Sequence, residues 1–97
     1  MTLFVPTCHL NGTSPDVLFE QVADALKAIR AARRALEDAA PNARDYHPQG
    51  PDVFTLARAA HDSRDRRLKE VQLELVDILE GIDDQRADIQ AQKAGRS

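Results

Sequence analysis

Arg44, Tyr46, His47 and Gln49 crowd into one short stretch flanked by prolines, and His61 and Arg64 follow within a few turns. Guanidinium groups grip phosphate and an aromatic face stacks on a base, so these six residues together suit a nucleotide-like anion. A blander role is equally open to Tyr46, which can fold back as a lid over an apolar core. His47 and His61 could relay protons only where two copies bring them together. Cys8 beside His9 offers two metal ligands with no third at a fitting spacing, so no metal and no other cofactor is expected. The sequence has no glycine-rich phosphate loop, no paired-histidine metal helix and no nucleophile elbow, which makes the chain a non-enzyme on this reading.

Helices must position those side chains. Phe54, His61, Leu68, Leu75, Ile82 and Ile89 recur every seven residues, and Ala57, Arg64, Val71, Ile78 and Gln85 interleave with them, giving the seam of a helix that packs lengthwise on another. At 1.5 Å per residue the stretch makes a rod of roughly 54 Å. Upstream, Leu18, Val22, Ala25, Ile29, Ala32, Leu36 and Ala39 mark the seam of a first helix. It starts either at a Thr13 and Asp16 capping box or at Ser14 followed by Pro15, and Pro41 stops it.

The expected fold is therefore all-α. It is an antiparallel two-helix hairpin with an extended N-terminal arm, completed by homo-oligomerisation. Residues 1–12 form the arm and 13–90 the hairpin, with a helix over about 14–40, a connector at 41–51, and a second helix over about 52–90 capped by Asp52. Residues 91–97 form a flexible tail. A symmetric turn sets Ala32 against His61, Ile29 against Arg64 and Leu18 against Leu75. Ile78, Ile82 and Ile89 are then left on an uncovered overhang, where Gly81 marks a place for a kink. Leu73, Val76, Leu79 and Ile82 widen the apolar stripe beyond one seam and are the expected contacts with a second copy. His61 and Arg64 are polar intrusions in that seam.

Charge is divided along the chain. The net charge of −3 conceals ten Lys/Arg against six Asp/Glu from Lys27 to Lys69, and three against ten elsewhere. Asp62 with Arg66, Asp65 with Lys69 and Arg66 with Glu70 have the spacing of surface helix pairs. Glu70, Glu74, Asp77, Glu80 and Asp84 make an acidic face for a protein partner. Overall negative charge and the lack of a recognition module argue against specific duplex DNA. No apolar run approaches the roughly 20 residues that span a bilayer, and Met1 to Leu10 lacks the early cation of a signal peptide. With a single cysteine, the expectation is a protein of the bacterial host cytoplasm, not attached to a membrane.

Asn11 to Ser14 and the segment Arg44, Asp45, Tyr46, Pro48, Gln49, Gly50 resemble a group of short bacterial and prophage helical proteins, over most of residues 10–80. Size and helical make-up are also similar to small phage proteins that defeat bacterial immunity, some by soaking up cyclic-nucleotide signals and others by plugging CRISPR effector complexes. The resemblance implies a phage accessory protein in counter-defence. One such role sequesters a nucleotide-like anion through Arg44, Tyr46, His47, Gln49, His61 and Arg64. The alternatives are an inhibitor of a host defence protein acting through the acidic face, and a self-assembling scaffold.

Overall fold

The computed structural model describes residues 3–95. It is all-helical, with α1 at Pro15–Asp38, a short α2 at Ala43–Tyr46 and a long α3 at Pro51–Ala94. Of the two expected starts for α1, Ser14 is the one used: its hydroxyl accepts from the Val17 amide at 3.3 Å and Pro15 opens the first turn. Proline fits there because its missing N–H would have no helical partner anyway.

The connector folds locally and is not an irregular loop. Asn42 caps α2 by accepting from the Arg44 amide at 3.0 Å, and a 3-10 turn at His47–Gln49 follows. Gly50 then takes φ 97° and ψ 160°, a region essentially closed to residues with a side chain, and Pro51 begins α3. The cap position of α3 thus belongs to Gly50. Asp52, expected there, sits inside the first turn.

The 44 residues of α3 account for most of a molecule measuring 72 × 24 × 20 Å. Arg33 meets Asp65, and Asp16 meets Arg86, so α1 lies along α3 in the opposite direction. The register is displaced from the symmetric one. Arg33 comes level with Asp65, several residues beyond its expected partners near His61, and the start of α1 reaches Arg86 where Leu75 was expected. The folded connector takes up part of α3 before α1 can engage.

On each helix one row of the expected seam holds and the other shifts by one residue: Val22, Ile29 and Leu36 stay half-buried on α1. Leu26 is buried, whereas Ala25, Ala32 and Ala39 are exposed, and Arg33 takes the place foreseen for Ala32. Burying Leu26 removes far more apolar surface from water than burying Ala25, which favours this shift. On α3 the Phe54 to Ile89 row keeps its inward position. Its flanking row against α1 includes Asp65, Gln72 and Arg86, while Arg64 and Val71 face away into solvent.

The arm supplies the third wall of the core. Val5 lies over Gly81, and a Cβ added to that glycine would come within 2.7 Å of a Val5 methyl. Gln85 then clasps the arm at two points: its amide group donates to the Pro6 carbonyl at 2.9 Å and its carbonyl accepts from the Cys8 amide at 2.8 Å. Gly81 serves as a docking notch for the arm. Between α1 and the arm, Ile82 is 0% exposed. It belongs to the intrachain core and has no surface left for the intermolecular contact expected of it. Leu73 is exposed, and Val76 and Leu79 are half-buried.

Leu26, Ile82 and His61 are the only buried residues among those described. No helix of the described residues is long and apolar enough to cross a membrane. The expected tail is helical as far as Ala94; Met1 and Thr2 of the arm, with Arg96 and Ser97 of the tail, lie outside the described residues.

Candidate partner-binding site

The six residues expected to hold an anion are not gathered into one pocket. Tyr46 packs against Phe54, ring centroids 6.3 Å apart and planes 51° apart, and so closes the end of the helix pair instead of offering a stacking face. Arg44 and His47 line an open concavity of about 580 Å³ with Asn42 and Ala43, and Gln49 is exposed nearby. His61 is buried on α3, and Arg64, three residues on, points to solvent.

Of the two expected polar intrusions in the seam, His61 stays, whereas Arg64 gives way to Arg33 and Asp65. Arg33 reaches across from α1 to grip the Asp65 carboxylate through Nε at 3.0 Å and Nη2 at 3.3 Å, and its Nη1 donates to Gln72 at 2.9 Å. The hydrogen bonds from Arg33 hold the Asp65 carboxyl below the usual carboxylate range; partial burial opposes this, and the charges of Arg33, His61 and Lys69 reinforce it. The Arg33 guanidinium is correspondingly pushed up, chiefly by its bond to Asp65. This forked contact fixes register and commits three of the five guanidinium N–H donors within the chain. None of the three expected ion pairs of α3 forms. Arg58 pairs with Asp62 at 3.7 Å, Asp65 turns to Arg33, and Arg67 donates to its own helix at the Ser63 carbonyl.

The opposite end of the rod carries the larger concavity. A cleft of about 770 Å³ opens between the arm, the start of α1 and the end of α3, lined by Cys8, His9, Leu10, Asp16, Asp83, Arg86, Ile89 and Lys93 among others. Arg86 organises it. The guanidinium sits 4.2 Å from the centre of the Phe19 ring and reaches Asp16 at 3.7 Å and Asp83 at 3.6 Å. Stacked in this way, the cation fastens α1 to α3 while the two carboxylates stay on the rim. His9 folds over Gly12, whose amide donates to the His9 carbonyl at 3.2 Å, and this turn leads the arm into α1. Leu10, beside it, is 98% exposed.

No family model, characterised protein or solved structure matches this chain. Geometry and charge therefore carry the functional reading.

The cleft lining balances Asp16 and Asp83 with Arg86 and Lys93, and the surface leading away from it along α3 is acidic. Glu70, Asp77, Glu80, Asp84 and Asp88 are exposed along the outer side of α3 and Glu74 is half-exposed; none of these six forms an ion pair among the described residues. Asp16, Glu20 and Asp24 extend the acidic surface onto α1. Among the described residues no group of three or more His, Cys, Asp or Glu is gathered as metal ligands would be. Leu10, Phe19 and Arg86 went unmarked as site residues in the sequence. Arg86 could have been found by stepping in sevens from Asp65 through Gln72 and Leu79, a row polar at three of its four places whose side chains can pair across to another helix.

Proposed function

We propose that the chain is a non-enzymatic protein-binding rod whose acidic end recognises a basic, partly apolar segment of another protein. What carries this reading is the coincidence at the arm end of a roomy cleft, the bare Leu10 side chain with half-buried Ile89 beside it, and the exposed carboxylates of Glu80, Asp84 and Asp88, unpaired among the described residues, along the adjoining stretch of α3. An apolar side chain entering the cleft would bury surface, and flanking Lys or Arg would meet Asp83, Asp84 and Glu80. A rod that competes for a basic surface can act as an inhibitor, which is how the acidic face would serve a counter-defence protein.

A labelled amphipathic peptide of Leu, Lys and Arg, titrated by fluorescence anisotropy at about 0.1 M salt, tests this. Leu10→Ser and the pair Glu80→Lys with Asp84→Lys are each expected to weaken binding about tenfold or more, with Arg44→Ala unchanged. Equal affinity in all variants overturns the proposal. The concavity at Arg44 and His47 supports a second reading, capture of a nucleotide-like anion. Calorimetry with cyclic di- and trinucleotides distinguishes it: saturable heat that disappears in Arg44→Ala would move the functional surface to the connector.

A further inference from the structure

We infer that a second copy of the chain covers the bare half of α3, lying antiparallel about a two-fold axis beside Val71. Single-chain folding leaves an unusual amount of surface. The accessible area is 7431 Å² for 10.7 kDa, against about 5,500 Å² for a compact monomer of that mass, and the excess exceeds the roughly 800 Å² that each partner loses in a standard interface.

The place for the contact is set by the arm, which rests on Gly81 and Gln85. Stepping back by heptads, Gly81 leads to Glu74, Arg67 and Ala60, and Gln85 to Ile78, Val71 and Arg64. One face of α3 is thus covered by the arm in its second half and uncovered in its first, where Val71 is 42% exposed and Arg64, Arg67 and Ala60 are exposed. Charge chooses the direction. An axis beside Val71 sets Arg67 of one copy opposite Glu74 of the other and Arg64 opposite Asp77, while a parallel copy would set like charges together. The same axis brings Ala60 of one copy opposite Gly81 of the other. There the arm presents Phe4, 82% exposed, toward exposed Leu56. Glu80, Asp83 and Asp84 remain free, so this pairing stands or falls apart from the proposed function.

Sedimentation equilibrium at about 0.1 M salt tests it, with circular dichroism checking that each variant stays helical. Arg67→Glu and Glu74→Arg should each weaken self-association at least about tenfold, and the double swap should restore it to within about threefold. A wild type that is monomeric at about 100 µM, or a double swap as weak as the singles, overturns the inference. In a Cys8→Ser background under mild oxidant, Val71→Cys should cross-link to itself, and Ala60→Cys should not, its two copies lying about 33 Å apart. Cross-linking at both positions, or at neither, also overturns it.

Discussion

Asp65 carries the clearest electrostatic signature in the molecule. Its carboxyl is held low by the Arg33 fork, so the folded state binds that proton less readily than the unfolded chain, whose Asp titrates near about 3.9. Stability from this contact is fully present above about pH 4 to 5, and is lost as acid drives the pH down through the lowered value. Raising the pH toward 10 leaves it intact, because the Arg33 guanidinium is shifted upward. Thermal melts of wild type and Asp65→Asn should therefore differ at pH 7, and the gap should narrow as the pH falls below about 4; a gap that stays constant under acid would mean that the pair contributes nothing specific. Ile82 is the packing counterpart at the same scale. Fully enclosed by α1, α3 and the arm, it should cost about 2–5 kcal/mol when cut to alanine, read by urea unfolding.

The arm depends on one glycine and one glutamine. Gly81→Ala has two opposed effects: a gain of about 1 kcal/mol in helix propensity and a clash of the new Cβ with Val5 at 2.7 Å. The arm, held by few contacts, should give way, so the Cys8 amide that bonds Gln85 should exchange with solvent faster while α3 becomes more stable. Retained protection in both Gly81→Ala and Gln85→Ala would show that the arm is held by something other than this notch and clasp. At the connector, Gly50→Ala forces a side chain into a backbone region that only glycine visits freely, with an expected loss of about 1–3 kcal/mol. These elements mark what could be read from the sequence. The Phe54 to Ile89 row survives because large apolar residues repeat there without rivals. Ala25 beside Leu26, and Arg64 beside Asp65, offer two rows that fit the same spacing, and only packing against the other helix chooses between them. The arm joins Cys8 to Gln85 across most of the chain, a contact for which Gly81 gave a local signal that a kink explains equally well. The division of charge was plain throughout, whereas the cleft at Leu10 needs three elements to meet and has no signature in any one of them.

Considered whole, the rod is much longer than a compact chain of this length. Its radius of gyration is 20.3 Å, against about 12.5 Å for a globular domain of 97 residues. Two buried apolar side chains, Leu26 and Ile82, are a small core with which to oppose a backbone entropy cost of about 1–2 kcal/mol per ordered residue. If the open face of α3 is completed by a second copy, folding and association are linked, and the melting temperature must rise with protein concentration. Each tenfold increase then adds about 0.7 kcal/mol per chain, which for a domain of this size amounts to a shift of about 3–5 °C. Melts followed by circular dichroism at about 5 and 50 µM should show that rise in wild type and lose it in Arg67→Glu, whose melting temperature should be low at both concentrations. A wild-type transition that stays fixed over this range would mean that the single rod holds itself together without a second copy.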